Sequence, residues 1–217
     1  HTRSSAASDV YKRQLLERAK CRYHISQLSS QKSVEVIKHR KEIVKFTSGV
    51  SINNLSLNEN DIGDFRTFLK LSPPLRTEED RIALIQGLKD GLIDAIVSDH
   101  KPEDEESKRL TFSQAATGAS GIETLLALSL ELYHNESLKL ETIIKSLTSG
   151  PAKILKIDKG NLSIGSDADL CIVDIDKPWI VKKEKLISKS KNTSIEDKKL
   201  QGKVTNTFVK GKELFKL

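Results

Sequence analysis

The chain has 217 residues, 37% of them hydrophobic, and a formal net charge of +6, so it can form one sizeable domain or one domain with a small appendage. No apolar run is long enough to span a bilayer and no secretory signal opens the chain, so we expect a cytoplasmic protein without a membrane partner. The lysines are scattered and few aromatic residues lie among them, which argues against a nucleic-acid-binding surface.

The start of the chain has the character of an added segment. The chain contains no methionine, which indicates that it is not a complete natural product. Residues 1–14 have no apolar periodicity, and the string from Asp9 to Gln14 resembles a translated sequencing adapter, so this segment is excluded from the fold. The two cysteines, Cys21 and Cys171, are far apart, and we expect two buried thiols without a disulfide or ligand role.

Residues 15 to about 155 alternate between strand and helix patterns, which is typical of an α/β fold with a mostly parallel sheet covered by helices. The patterns of the first half predict a helix tail at 15–20, a strand at 22–28, a helix at 33–43, a strand at 44–50 and an asparagine-rich loop at 53–60. A short strand at 68–71 follows, then a helix capped by Thr77 and ending before Gly91, and then a strand at 94–98. The patterns next predict a charged exposed loop at 100–109, a helix at 123–133 and a helix at 140–155 interrupted near Gly150 and Pro151.

The last 60 or so residues have a different, all-β character. Residues 160–174 are rich in turn formers and then strictly strand-like. Residues 204–215 are typical of a hairpin that turns at Lys210 and Gly211. We therefore expect a small β appendage after the α/β part.

Asp99 is the first candidate catalytic residue, because it stands where an apolar strand gives way to a loop. In α/β barrels the carboxyl ends of the strands carry the active site. A carboxylate there can bind a metal ion or accept a proton from a metal-bound water. Position alone supports equally well a residue that only caps a turn or a helix.

Three motifs extend this interpretation. They are KLSPPLRTEEDRIALIQGLKDGLIDAIVSDHKPED, TGASGIETLL and GNLSIGSDADLCIVD, in that order. With them the chain resembles, over residues 20–217, the dihydroorotases of the amidohydrolase superfamily. The resemblance implies a TIM-like (β/α)₈ barrel of which residues 15–157 form part, about strands 5–8, and a small β-sandwich to which residues 158–217 belong.

The resemblance also implies a function. Dihydroorotases catalyse reversible ring closure of N-carbamoyl-L-aspartate to dihydroorotate in de novo pyrimidine biosynthesis, using zinc, on a small-molecule substrate. It implies that Asp99 is the catalytic aspartate and a metal ligand, and that the full-length protein is a homo-oligomer. It places substrate-binding residues at four further positions, which are Asn54, Ser72, Thr117 and Gly118.

Several positions depart from the pattern that the resemblance implies. Gln27 stands where a histidine ligand is expected, and Asn53 and Asn54 stand where a His-His pair is expected. Glu103 replaces a further histidine. His24 is the nearest imidazole, but it lies three residues before Gln27, and an odd separation on a strand places two side chains on opposite faces, so His24 is a poor substitute ligand.

These departures make zinc binding by this chain doubtful, since an amide is a weak zinc ligand beside an imidazole. Three functions therefore remain open. The first is a dihydroorotase-type enzyme. The second is a non-catalytic dihydroorotase-like subunit that assembles with aspartate carbamoyltransferase. The third is another cyclic amidohydrolase, of allantoinase or hydantoinase type.

Overall fold

The computed structural model of the chain describes residues 21–41 and 45–217 and has an α/β fold. The segment interpreted as an adapter, the predicted helix tail at 15–20, the last two residues of the helix predicted at 33–43 and the first residue of the strand predicted at 44–50 lie outside the described residues. No helix in the described ranges combines the length and the apolar character that a membrane crossing requires.

The first part of the described chain alternates strands and helices. Its elements are β1 (His24–Leu28), α1 (Gln31–Arg40), β2 (Thr47–Ser51), α2 (Ile52–Ser56), 3₁₀ helices at Glu59–Ile62 and Thr67–Leu69, α3 (Glu78–Lys89), β3 (Ala95–Val97), α4 (Glu105–Lys108), α5 (Leu125–His134), α6 (Leu140–Leu147) and α7 (Ser149–Leu155). The second part consists of β4 (Leu170–Ile180), a 3₁₀ helix at Lys183–Lys185, β5 (Lys199–Val209) and β6 (Lys212–Lys216).

Two three-stranded sheets follow from these elements. In the first, β1, β2 and β3 lie side by side in that order and run parallel. In the second, β4, β5 and β6 run antiparallel, and the predicted hairpin turn is confirmed, with Lys210 and Gly211 at φ angles of 50° and 75°. Two successive positive φ angles are typical of the tight turns that match the twist of a hairpin.

Helix α3 forms where its local signals predict it. The Thr77 hydroxyl accepts the N–H of Asp80, and three acidic residues occupy the first turn, where they stabilise the positive end of the helix dipole. Gly91, at φ 68°, follows the end of the helix. The buried face of α3, with Leu84 and Leu88, packs into the core beside the parallel sheet.

The two sheets are joined through α5. A Cβ atom on Gly202 of β5 would lie 2.3 Å from Cδ1 of Leu130, which is fully buried on α5. Beside this contact, Trp179 of β4 packs partly buried against the core and donates its indole N–H to the Gly202 carbonyl at 3.0 Å. The absence of a side chain at position 202 thus permits the close approach of sheet and helix.

Gly202→Ala is therefore expected to destabilise the full-length protein by about 2 to 3 kcal/mol, because the added methyl group strains a left-handed backbone and also overpacks the α5 contact. The matched control is Gly165→Ala, since Gly165 has φ 90° but nothing within 4 Å of the added Cβ, against φ 102° at Gly202. The control is expected to lose about 1 kcal/mol through backbone strain alone. Urea unfolding measures both, and equal losses would contradict the packing argument.

Several details of the sequence interpretation are wrong. The predicted strand at 68–71 is the 3₁₀ helix Thr67–Leu69, in which Leu69 and Lys70 donate their N–H groups three residues back. Leu69 and Leu71 are both buried while the chain bends locally, so an alternating apolar pattern arose without a strand. Within the predicted asparagine-rich loop, residues 52–56 form α2.

Three further expectations are corrected. The break between α6 and α7 falls at Thr148, two residues before Gly150, because Pro151 is tolerated in the first turn of a helix. The expectation that Cys21 and Cys171 are buried is wrong, because both thiols are exposed.

The charged segment at 100–109 is not uniformly exposed. It contains the short helix α4, and Lys108 at its end is only 3% exposed. The Lys108 ammonium group donates to the carbonyls of Thr67 and Ala116, at 3.2 and 2.7 Å, and burial lowers its pKa. A buried lysine that binds two main-chain carbonyls fastens this loop to the 3₁₀ helix at Thr67–Leu69.

Candidate active site

The carboxyl ends of the three parallel strands bring the first pair of site residues together. Gln27 lies near the end of β1, and Asp99 follows β3 by two residues. The side-chain amide of Gln27 donates a hydrogen bond to Oδ1 of Asp99 at 2.7 Å, although the two residues are 72 positions apart. The parallel pairing of β1 and β3 with β2 places both side chains at one edge of the sheet.

Asp99 has two properties that are common at functional sites. Its φ angle is 48°, in the left-handed region that few residues other than glycine adopt. Burial raises the pKa of the Asp99 carboxyl, against the lowering effects of the Gln27 hydrogen bond, the Lys101 charge and a hydrogen bond from Ser51. Burial that raises the pKa of a carboxyl lets it hold a proton more readily than an exposed carboxyl does, which suits it to proton exchange.

His24 lies at the opposite end of the sheet. Its Nδ1 is 2.8 Å from the Thr47 hydroxyl, burial lowers its pKa, and the nearby charge of Asp94 partly opposes that shift. Asp94 precedes β3 whereas Asp99 follows it, so His24 sits where the strands begin. The structure does not bring His24 to Asp99, and the prediction of a ligand role for His24 has no support in the geometry.

Asn53 and Asn54 lie on α2, directly after β2, and are 2% and 3% exposed. Oδ1 of Asn53 accepts from the Ser194 hydroxyl at 2.9 Å, and Nδ2 of Asn54 donates to the Pro74 carbonyl at 3.0 Å. Within the described part of the chain, the remaining amide atoms, Nδ2 of Asn53 and Oδ1 of Asn54, have no hydrogen-bond partner. Each amide therefore holds a loop and keeps one polar atom unpaired.

Thr117 and Gly118 lie on a loop that packs beside the Asp99 segment. Gly118 has φ 139°, and a Cβ there would approach the Lys101 carbonyl oxygen to 2.5 Å. The Lys101 N–H donates to the Ala119 carbonyl at 2.9 Å, and the Lys101 ammonium group lies 3.3 Å from the Thr117 hydroxyl. Glycine at 118 thus allows this loop, called the Gly118 loop (residues 117–121), to lie against the chain that carries Asp99.

Ser72 belongs to the neighbouring turn and is exposed. The Gly118 N–H donates to the carbonyl of Lys70, two residues before Ser72, at 2.9 Å, and Asn54 binds the carbonyl of Pro74, two residues after it. Through these main-chain contacts the structure brings the turn around Ser72 to both α2 and the Gly118 loop. The substrate-binding roles of Ser72, Asn54, Thr117 and Gly118 stay predictions.

Two further residues complete the surroundings, His100, which belongs to the SDHKPED motif, and Ser51, which the sequence did not mark. Nδ1 of His100 accepts the N–H groups of Gly121 and Ile122 at 3.2 and 3.4 Å, which anchors the Gly118 loop. Ser51, fully buried at the end of β2, lies close enough to Asp99 to help lower the pKa of its carboxyl. No sequence signal distinguishes this serine from others, because its contact with Asp99 depends on the pairing of β2 with β3.

The side chains around Asp99 do not fit a zinc ion. The described residues contain no group of three or more His, Cys, Asp or Glu side chains that could hold a metal ion. The hydrogen-bond partner of the Asp99 carboxyl is the amide of Gln27, whereas zinc prefers imidazole, thiolate and carboxylate ligands. Gln27 also presents an N–H donor to Asp99, so the carboxylate oxygen already has a partner.

Comparison with known proteins places this geometry in a family. The sequence model of the family described as "Amidohydrolase family" matches residues 6–214. The chain belongs to the amidohydrolase family. Among curated members, it is 44% identical over 195 residues to the dihydroorotase of Ehrlichia chaffeensis, covering 89% of this chain and 44% of that protein. It is 39% identical over 203 residues to the dihydroorotase of Aquifex aeolicus, covering 93% and 48%.

These relatives confirm the resemblance to dihydroorotases that the sequence motifs indicate. The chain spans less than half the length of either one. Among solved amidohydrolases, L-hydantoinase (dihydropyrimidinase) from Arthrobacter aurescens superposes with a TM-score of 0.88 at 30% identity, over 93% of this chain and 46% of that one. Dihydropyrimidinase from Brevibacillus agri superposes with a TM-score of 0.86 at 22% identity, over 93% and 46%, and this likeness concerns the fold alone.

Proposed function

We propose that this chain is the carboxyl-terminal part of a dihydroorotase-type amidohydrolase, which interconverts N-carbamoyl-L-aspartate and dihydroorotate in de novo pyrimidine biosynthesis. The observation that carries the proposal is Asp99, a half-buried carboxyl with a raised pKa at the carboxyl end of a parallel strand, within a sequence 44% identical to a dihydroorotase. In this proposal the substrate is a small cyclic amide bound between the Asp99 segment and the Gly118 loop.

Asp99 has the role of a proton carrier. Opening or closing a cyclic amide requires a proton to move to or from the ring nitrogen, and burial, by raising the pKa of the Asp99 carboxyl, helps that group to hold and return the proton. The Gln27 amide, which donates to Oδ1 at 2.7 Å, holds the carboxyl in one orientation. Gly118 and Thr117 present main chain and a hydroxyl from the facing loop.

The test is turnover by the full-length protein. Dihydroorotate and N-carbamoyl-L-aspartate are supplied separately, with an uncharged hydantoin as the comparison ring, and ring opening and closing are followed by absorbance or chromatography. The proposal expects conversion of the two dihydroorotase substrates and little conversion of the hydantoin. Conversion of the hydantoin alone would overturn the assigned substrate, and no conversion of any ring would overturn the enzymatic proposal.

We also propose the finer architecture that the resemblance implies. Residues 15–157 then contribute about strands 5–8 of a (β/α)₈ barrel, and residues 158–217 contribute part of a β-sandwich. The parallel arrangement of β1, β2 and β3 with helices between them supports the first part, and the antiparallel sheet of β4, β5 and β6 supports the second. In the same proposal the full-length protein is a cytoplasmic homo-oligomer.

Members of the amidohydrolase family generally bind zinc, but we propose that the residues of this chain contribute little to such a site. Gln27, Asn53 and Asn54 offer amides where imidazoles are expected, and each of them is hydrogen-bonded to protein. Zinc content of the full-length protein, measured with and without Asp99→Asn, tests this point. An unchanged zinc content is expected, and a loss of one zinc per chain in the variant would contradict it.

The same replacements favour one second candidate, a non-catalytic dihydroorotase-like subunit that assembles with aspartate carbamoyltransferase. The favouring observation is the Gln27–Asp99 hydrogen bond, which satisfies the carboxyl with a protein amide. Gel filtration of the full-length protein mixed with aspartate carbamoyltransferase separates the two candidates. Co-elution without turnover supports the subunit, whereas turnover without co-elution supports the enzyme.

A further inference from the structure

A buried segment of the second part of the chain crosses over to the candidate active site. Residues 186–194, called the strap, belong to the connection between β4 and β5. Although they are distant in sequence from the parallel sheet, Asn192, Thr193 and Ser194 are 3%, 0% and 6% exposed. Most polar side chains that are buried this completely have hydrogen-bond partners in the surrounding protein.

Asn192 is the centre of these contacts. Its Nδ2 donates to the Gly118 carbonyl at 3.2 Å, its Oδ1 accepts from the Ser120 hydroxyl at 3.4 Å, and the Ser190 hydroxyl contacts the same oxygen. The Glu103 N–H lies 3.4 Å from the same oxygen, and the Asn192 carbonyl accepts the Ser120 N–H at 3.0 Å. One buried amide thus binds both the Gly118 loop and the loop that follows Asp99.

Other residues of the strap repeat this pattern of contacts. The Ser190 hydroxyl donates to the Glu103 carbonyl at 2.6 Å, and the Ser194 hydroxyl donates to Asn53. The carboxylate of Glu123 accepts the N–H groups of Ile187 and Ser188 at 2.9 and 3.0 Å. The strap therefore contacts α2 after β2, the loop after β3, and both the Gly118 loop and the residues that follow it.

We propose that the strap positions the Gly118 loop for substrate binding and that Asn192 is its principal positioning residue. The chain of contacts runs from Asn192 to Gly118, from the Gly118 loop to Lys101 through its main-chain bond with Ala119, and from there to Asp99 two residues earlier. The inference deepens the proposed function and rests on it for the identity of the ring. Asn192 itself acts through the Gly118 loop, without a role in proton transfer.

The strap gives the β appendage a role beyond covering the core. The strap contacts α2 and the loop after β3 through serine hydroxyls, and the side-chain donor to the Gly118 carbonyl is the amide at position 192. Asn192→Ala removes both functions of that amide, whereas Asn192→Asp keeps the acceptor and removes the donor to Gly118. Asn206→Ala is the matched control, because Asn206 lies on β5, the strand that follows the strap, and its side-chain amide also donates a hydrogen bond, to Glu213.

The experiment uses the full-length protein and two measurements. In hydrogen exchange, both Asn192 variants are expected to speed exchange in the Gly118 loop about tenfold, the change that follows from losing one or two net hydrogen bonds, with α3 and the Asn206→Ala control unchanged. In kinetics, Asn192→Ala is expected to raise KM for dihydroorotate about tenfold, with kcat changed less, since loop order affects ring binding before proton transfer.

Each outcome bears on a separate statement. Unchanged exchange in the Gly118 loop, or exchange that speeds equally throughout the protein, would overturn the positioning role. Wild-type exchange in Asn192→Asp would overturn the assigned contact with Gly118. A tenfold fall in kcat at unchanged KM would place Asn192 in the chemical step instead. If the wild-type protein turns over no dihydroorotate, the proposed function fails, and the exchange measurement still decides whether the strap holds the loop.

Discussion

Asp99→Asn is expected to lower dihydroorotate turnover by the full-length protein about 10³-fold while the protein stays folded, since loss of a positioned proton carrier costs between two and four orders of magnitude. The substitution suits the site. Asparagine is one of the few residues that tolerate the left-handed conformation found at φ 48°, and its carbonyl oxygen can still accept from Gln27. The loss of activity would therefore report the lost acidity and not a disturbed loop.

The control for this variant is Asp90→Asn. Asp90 also accepts a hydrogen bond from a glutamine amide at 2.7 Å, from Gln86, but on the exposed surface of α3. Turnover by this control is expected to equal that of the wild type. Turnover by Asp99→Asn within tenfold of the wild type would remove Asp99 from the proton transfer, and an equal loss in both variants would point to an effect of stability.

The same substitution is expected to raise the stability of the folded state at neutral pH by about 1 kcal/mol. Because burial raises the pKa of Asp99 above its value of 3.8 in the unfolded chain, the folded protein binds more protons than the unfolded one between the two pKa values. The free energy of unfolding therefore falls as pH rises through that window. Asp99→Asn removes this titration, so urea unfolding as a function of pH should lose that step.

Local and regional patterns account for the parts of the fold that the sequence predicted. The cap at Thr77, the acidic first turn and the glycine beyond the end locate α3, and the apolar strand before Asp99 locates the candidate site. These signals depend on neighbours within about ten residues. The prediction of a strand at 68–71 was wrong for the same reason, because two buried leucines on either side of a lysine give the same local pattern in a 3₁₀ helix as in a strand.

The contacts that define the site join distant parts of the chain, and local patterns cannot specify them. Gln27 and Asp99 are 72 residues apart, and Asn192 and Gly118 are 74 apart. The sequence marks Gln27, Asp99 and Gly118 one by one but does not pair them, and it does not mark Asn192, because a buried asparagine and an exposed one have the same local context. Lys108 illustrates the point, since a charged run predicts solvent exposure while two main-chain carbonyls hold this lysine in the interior.

Gln27→His is expected to raise the affinity of the full-length protein for zinc at least about tenfold, because an imidazole ligand would then stand beside a carboxylate where an amide now donates a hydrogen bond. The 2.7 Å contact between Gln27 and Asp99 shows that a side chain at position 27 reaches the carboxyl group, so one ion could contact both. Calorimetric titration with zinc, and zinc content after dialysis, measure the change.

Two variants decide whether the gain belongs to this pair. Gln114→His adds an imidazole on an exposed loop, where the native glutamine accepts a hydrogen bond from the Thr111 hydroxyl, and is expected to leave zinc affinity unchanged. Asp99→Asn combined with Gln27→His should cancel the gain, since a carboxylate is a zinc ligand and an amide is a weak one. A gain that survives loss of the Asp99 carboxylate, or no gain at all, would mean that positions 27 and 99 do not share a metal position. Any zinc bound by the full-length protein would then have to be held by other residues, and replacing Gln27 alone would not create a zinc site.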